Sequence, residues 1–281
     1  MTQSAPKRVS VHGGHSGEFC GHAEDSLEDI IRAYIARGYV WIGITEHMPP
    51  ARSAMILPEE AAAGMDVEAN RARFHSYMEE GRRLQTKYAE ELTVYLGLET
   101  EAWEGYETAL ENLIETFKPD YIVGSVHHVN DVPIDFSMEH YEAAAQSVGG
   151  IDQLYCAYFD LQYDLITRFK PAVVGHIDLI RLLDSDYQAR ILKPDIWRKI
   201  ERNLQATREL DLILDFNFRA LGKGQTEPYI ARPILQRASE MGIAVVPGDD
   251  THSVKDVDEF WSRGLEFLSG CGISTDWRRP I

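Results

Sequence analysis

Three histidines, His12, His15 and His22, fall within eleven residues of this sequence, directly after Val9 and Val11, an apolar pair that reads as a strand. Imidazoles at that density beside a strand end are the raw material of a polynuclear metal site. Similar chemistry recurs at the ends of later apolar runs: Thr45-Glu46-His47, Gly97-Leu98-Glu99, Gly124-Ser125-Val126-His127, Gly175-His176, Phe216-Asn217 and Gly248-Asp249-Asp250-Thr251-His252. Seven of the ten histidines are placed this way, a pattern that scattered structural histidines would not produce. His75 and His140 read as exposed helix residues. His128 alternates away from His127 and is at most a substrate-contacting or supporting group.

Some neighbours of these residues have more than one reading. Glu46 alternates away from His47 and either supports a ligand by a hydrogen bond or is solvated. Glu101 follows Glu99 by two and on continued strand geometry shares its face; Glu99, at the strand end itself, is preferred without the choice being forced. Cys20 has no second cysteine nearby and reads as small buried filler rather than a ligand.

The elements that must position these groups alternate. Periodicity predicts strands over 9–12, 40–45, 92–98, 121–126, 172–175, 212–217 and 243–247. Between and after them it predicts helices over 26–37, 68–88, 106–117, 138–148, 151–169, 194–210, 232–241 and 256–268. Pro194 suits the first turn of its helix. Seven strands alternating with helices imply an α/β protein with a mostly parallel sheet. The glycine-rich fingerprint of a doubly wound nucleotide-binding sheet is missing, so a closed or partly closed barrel is expected. Its chemistry would collect at the C-terminal ends of the strands.

At 281 residues the chain fits a single barrel domain, with no linker-like tract, repeat or low-complexity segment to divide it. The formal net charge of -17 argues against nucleic acid as a partner, since phosphate backbones require a basic face. A small phosphorylated substrate remains compatible, because bound cations invert the local sign. No apolar run reaches membrane-spanning length. Met1 to Lys7 lacks the apolar core of a signal peptide. Three widely separated cysteines fit a reduced, cytoplasmic protein. No feature specifies an oligomeric state.

Taken in order, several of these segments resemble the polymerase-and-histidinol-phosphatase (PHP) family, in particular its histidinol-phosphatase branch. The carriers are Phe19-Cys20-Gly21-His22-Ala23, Thr45-Glu46-His47, Gly97-Leu98-Glu99, Gly124-Ser125-Val126-His127, Gly175-His176-Ile177-Asp178-Leu179-Ile180-Arg181, Glu227-Pro228-Tyr229 and Asp250-Thr251-His252-Ser253. The resemblance spans nearly the whole chain. It implies a distorted seven-stranded (β/α)7 barrel of the PHP type holding three divalent metal ions. One ion would take His12, His15, Glu99 and Asp250; a second would share Glu99 and add His127 and His176; a third would take His22, His47 and His252. It further implies a cationic phosphate contact from Arg181. The activity implied is hydrolysis of a small phosphate monoester, most simply L-histidinol phosphate in histidine biosynthesis. Alternatives are another phosphate ester or a phosphodiester at the same site, or a non-catalytic PHP module.

Such a site would use a metal-activated hydroxide as nucleophile, with zinc, manganese and iron all compatible with nitrogen and oxygen ligands. Glu99 and Asp250 would organise the ions. Asp178 or a metal-bound water would protonate the leaving oxygen. No Gly-x-Ser-x-Gly nucleophile motif is present.

Two departures from the family pattern stand out. The family opens with His-x-His, whereas here His12 and His15 are separated by Gly13 and Gly14. Regular strand geometry would send the two rings to opposite faces. Either the glycines form a bulge that re-aims His12, the preferred reading, or His12 lies outside the ligand shell. After the sixth strand the family reads Asn-x-Ser-Gly-Leu-Arg-Lys-Gly, whereas this chain reads Asn217-Phe218-Arg219-Ala220-Leu221-Gly222-Lys223-Gly224. Arg219 therefore becomes a candidate for the phosphate contact, a guanidinium being well matched to two phosphate oxygens.

Overall fold

The computed structural model describes residues 5–281; the first four, part of the N-terminal segment read above, lie outside the described residues. Seven strands form one parallel sheet in sequence order: β1 (Arg8–Ser10), β2 (Tyr39–His47), β3 (Thr93–Glu99), β4 (Tyr121–Gly124), β5 (Val173–Val174), β6 (Ile213–Asn217) and β7 (Ala244–Gly248). The sheet curls until its edges meet, with Val11 N donating to Pro247 O at 2.8 Å. The result is the nearly closed (β/α)7 barrel that the alternation of elements predicts.

Period-two alternation decides what faces the barrel axis. Val9, Trp41, Tyr95, Tyr121, Val123, Val173, Ile213 and Val246 form one cluster, drawn from every strand. Tyr121 crosses this interior to donate its hydroxyl to Val11 O at 2.7 Å. It runs so close to β2 that a Cβ at Gly43 would stand 1.8 Å from its oxygen. Continuing the same alternation towards the C-terminal ends brings His47 on β2, Glu99 on β3, and Asp215 and Asn217 on β6 to one mouth.

The opposite strand faces carry Ile42, Ile44, Leu96, Leu98 and Leu214, buried under a shell of helices. These are α1 (Leu27–Ala36), α2 (Val67–Lys87), α3 (Tyr106–Phe117), α4 (Met138–Val148), α5 (Ile151–Phe169), α6 (Pro194–Glu209), α7 (Arg232–Glu240) and α8 (Trp261–Gly270). Ser26 caps α1, its hydroxyl accepting from Asp29 N at 3.1 Å, so that Leu27, Ile30, Ile31 and Tyr34 turn to the sheet. Tyr77 of α2 donates to the backbone of both β2 and β3, at Ile44 O and Gly97 O.

Two local features differ from the sequence expectation. The last helix begins at Trp261 rather than at residue 256, because Asp256 and Asp258 use their side chains on Arg219 and Arg8 in a preceding run of turns. A small antiparallel hairpin, His128–Val129 with Val132–Pro133, rises beyond β4 where a plain loop is expected. Asn130 and Asp131 both have positive φ, 49° and 63°, at its two-residue turn, a conformation these two residue types tolerate.

Candidate metal centre and active site

The glycine pair after β1 solves the first spacing problem. Gly14 has φ of 77°, and a Cβ there would lie 2.6 Å from Ile44 Cγ2, so only glycine fits. The turn it permits directs His12 and His15 to the same mouth, both fully buried. His12 therefore faces the same mouth as the other imidazoles, with Nε2 3.2 Å from Glu99.

Glu99 occupies the centre. Its carboxylate oxygens lie 2.9 Å from His176 Nε2, 3.2 Å from His12 Nε2, 3.2 Å from His47 Nδ1, 3.4 Å from His127 Nε2 and 3.9 Å from His15 Nε2. Asp250 Oδ1 is 3.4 Å from His15 Nε2. His22, at the cavity mouth, reaches His252 with Nε2 atoms 3.1 Å apart. All seven histidines named from the sequence therefore converge on one site, together with Glu99 and Asp250.

A second tier of carboxylates and carbonyls orients the rings from behind. His12 Nδ1 is 2.8 Å from Asp215, His15 Nδ1 is 3.0 Å from Glu46, and His47 Nδ1 is 2.7 Å from Glu101. His252 Nδ1 donates to Asp250 O at 2.8 Å. Glu101 also approaches His127 Nδ1, at 3.2 Å. Pinning Nδ1–H this way leaves Nε2 with its lone pair turned inward, the arrangement by which carboxylates prepare histidines for metals. Among these, Nε2 of His12, His15 and His47 are buried and make no hydrogen bond. Buried donor atoms without partners, converging with carboxylates, fit divalent cations. Four groups of ligand atoms, each held within 4.8 Å, can be drawn from this set: His12 with His15 and Asp250; His12 with Glu99 and His176; His15 with His47 and Glu99; and Cys20 with His22, His47 and His252.

The same carboxylates that could hold cations also draw protons onto some of these imidazoles, which a cation would displace. Burial would expel charge, yet His12, His127 and His47 hold the Glu99 carboxyl well below its ordinary range. Burial likewise opposes protonation of His47 and His127, but Glu99 and Glu101 outweigh it and raise them to about 10 and about 9. His15, buried and facing other imidazoles, is driven well below the usual value. So dense a mixture of carboxylates and imidazoles in a buried mouth is costly unless cations compensate it.

The centre opens into a cavity of ≈ 350 Å³. His128, Arg219, Lys223, Trp103, Phe136 and Arg73 are on its wall. Arg219 lies on this wall with its Nη1 3.1 Å from Asp256 Oδ2. His128 lies at the wall with Nδ1 3.3 Å from Glu101 O.

Asp178 and Arg181 do not line this cavity, and both expectations for them are corrected. Each side chain is fully buried, and the two form an ion pair at 3.0 Å. The 3-10 turn Leu179–Arg181 carries the guanidinium sideways, where it donates to Pro228 O and Glu227 O and lies between the rings of Tyr187 and Tyr229. Asp178 accepts from Ala231 N at 2.7 Å. Arg181 and one Asp178 oxygen are thus engaged with one another and with the backbone of the 227–231 segment, away from the cavity lining, while Asp178 Oδ1 is buried without a hydrogen-bond partner.

Asp215, which holds His12 Nδ1 at 2.8 Å, is the residue of this site that the sequence reading missed. Its signal was available: it stands two residues before Asn217, on the same strand face. Asn217 Nδ2 ties Asp215 to Asp250 with bonds of 3.0 and 3.2 Å.

A nearly closed parallel barrel with a ring of histidines and carboxylates at its C-terminal mouth is the architecture of a barrel metallohydrolase. The chain belongs to the PHP domain family, whose model matches residues 13–218. It is 35% identical over 271 residues to a candidate histidinol-phosphatase of Schizosaccharomyces pombe, covering 95% of this chain and 88% of that protein. It is 27% identical over 291 residues to the histidinol-phosphatase of Saccharomyces cerevisiae, covering 92% and 87%. Among solved structures, a candidate histidinol phosphatase HisK from Listeria monocytogenes superimposes with a TM-score of 0.80 at 26% identity, over 91% of this chain and 99% of that one. The histidinol phosphate phosphatase of Lactococcus lactis, solved with zinc, L-histidinol and phosphate, shares the fold with a TM-score of 0.72 at 20% identity, over 95% of each chain.

Proposed function

We propose that this chain is a metal-dependent phosphatase that hydrolyses L-histidinol phosphate to histidinol and inorganic phosphate. The observation that carries the reading is the pair of unpartnered Nε2 atoms of His12 and His15 turned to Glu99, each with its Nδ1 held by a carboxylate, beside a further unpartnered Nε2 on His47. The histidinol-phosphatases among its relatives support the substrate class.

In this reading three divalent ions are held by His12, His15, Glu99 and Asp250; by Glu99, His127 and His176; and by His22, His47 and His252. Bound there, they supply Lewis-acid neutralisation of the phosphate and lower the pKa of a nucleophilic water. The protein's own residues do the rest. Asp215, Glu46 and Glu101 hold imidazoles in the ligating tautomer. Asn217 fixes Asp250. Arg219, on the cavity wall, grips the substrate phosphate with the part of its guanidinium not held by Asp256. His128, on the same wall, contacts the rest of the substrate.

Metal analysis of the purified protein, with assays across a panel of phosphate monoesters and phosphodiesters, tests the reading. The expected result is about three metal equivalents and a preference for histidinol phosphate. A metal-loaded protein inactive on every monoester refutes it. Arg219→Ala is expected to lower kcat/KM at least tenfold, about 1.4 kcal/mol, with metal content unchanged. Kinetics within twofold of the parent would remove Arg219 from the site.

A further inference from the structure

Cys20 sits in the turn between His15 and His22, its amide donating to Ser16 O at 2.8 Å. The residue is 5% exposed and lies on the cavity wall. Its Sγ is 3.4 and 3.5 Å from the two ring nitrogens of His22. One donor atom each from Cys20, His22, His47 and His252 fits within 4.8 Å. Four ligands in a tetrahedron around one zinc-like ion, at about 2.0–2.3 Å from it, stand roughly 3.3–3.8 Å apart, so the spread suits a single ion.

Two further observations point to a cation rather than to packing. The Asp250 carbonyl can only accept, so His252 donates from Nδ1 and, as a neutral ring, turns a bare Nε2 towards His22. His47 Nε2 is buried and makes no hydrogen bond. Small apolar filler would leave the His47 lone pair without a partner and the His252 lone pair with only the ring of His22.

We propose that Cys20 is a thiolate ligand of the ion held by His22, His47 and His252, completing a site of one sulfur and three imidazoles. The inference rests on the metal-centre reading above. On binding, the thiol proton passes to solvent and the sulfur lone pair forms the bond to the cation; no oxidant or reductant is involved. The soft sulfur makes this position select zinc or cobalt, whereas the nitrogen and oxygen positions around Glu99 remain open to manganese as well. Four protein donors also close its coordination, so this ion is the slowest to leave, and exchangeable positions for substrate fall to the ions at Glu99.

The test uses the full chain carrying Cys156→Ser and Cys271→Ser, which leaves Cys20 as its one thiol. Cobalt(II) is titrated into the metal-stripped protein. The expected result is a near-ultraviolet thiolate-to-cobalt charge-transfer band that saturates at one equivalent and is lost when Cys20→Ser is added. Cobalt uptake without the band overturns the proposal while leaving the metal centre standing. A protein that binds neither cobalt nor zinc overturns both. Should Cys20→Ser fail to fold, X-ray absorption on the zinc-loaded parent of that variant decides. A zinc–sulfur distance of about 2.3 Å supports the ligand, and a shell of nitrogen and oxygen alone refutes it.

Discussion

Replacing Arg181 with methionine separates a structural arginine from a substrate-binding one. Its guanidinium is fully buried and bonds Asp178 at 3.0 Å, Pro228 O at 2.6 Å, Glu227 O at 3.1 Å and Gln225 Oε1 at 3.3 Å. Arg181→Met keeps much of the apolar stem but strands the Asp178 carboxylate, which retains only the amide of Ala231. Burial already lifts the Asp178 carboxyl above its usual range even with the arginine beside it. Breaking a buried pair from one side costs about 3–5 kcal/mol. With a denaturant slope of about 3 kcal/mol/M in urea, that moves the unfolding midpoint down by about 1–2 M. Arg181→Met combined with Asp178→Asn is expected to return most of the loss, because no carboxylate is then left uncompensated. At a temperature where both variants are folded, kcat/KM should stay within about twofold of the parent. A variant of parental stability whose kcat/KM falls tenfold or more would refute the reasoning and restore Arg181 as a phosphate contact.

Three other outcomes follow from the same geometry. Glu99→Gln is expected to remove more than one metal equivalent and nearly all activity, since its carboxylate faces five imidazoles, whereas Glu101→Gln should be milder; elemental analysis with kinetics checks the order. Asp215→Asn removes the anion that fixes His12 and should weaken metal binding or activity by about 10–100-fold, measured by competition with a chelator. Gly14→Val places a side chain against Ile44 at a positive φ, costing about 1–3 kcal/mol from the backbone alone, and should lower metal content; parental stability and full metal content would exclude the glycine-dependent turn.

What could be read from the sequence follows from what alternation encodes. Strand ends are marked by where apolar runs stop, and a barrel forces those stops to one mouth, so His47, Glu99, His127 and His176 could be gathered without coordinates. The same rule, applied backwards along β6, would have found Asp215, which was hidden only because it lies inside the strand rather than at its end. Glu46 is different. It faces away from the mouth by alternation, yet its carboxylate lies 3.0 Å from His15 Nδ1, a contact that strand period alone does not predict.

The two arginines show where sequence distance stops being informative. Arg181 lies five residues beyond His176, and Arg219 two beyond Asn217, so both belong by position to the active-site face. Four residues after β5 the chain enters a 3-10 turn whose buried residues, Leu179 and Ile180 among them, carry Arg181 into the core against Asp178. After β6 the chain enters the short helix Arg219–Gly222, and Arg219 stays on the cavity wall, half-held by Asp256. Asp256 Oδ2 also accepts from His252 N at 3.3 Å, so the cation on the wall and a candidate ligand share one carboxylate. That link makes the position of Arg219 depend on the ordering of the His252 loop. If Arg219 grips phosphate as proposed, a charge positioned through that loop would do so best with the loop in place, tying substrate capture to an assembled centre.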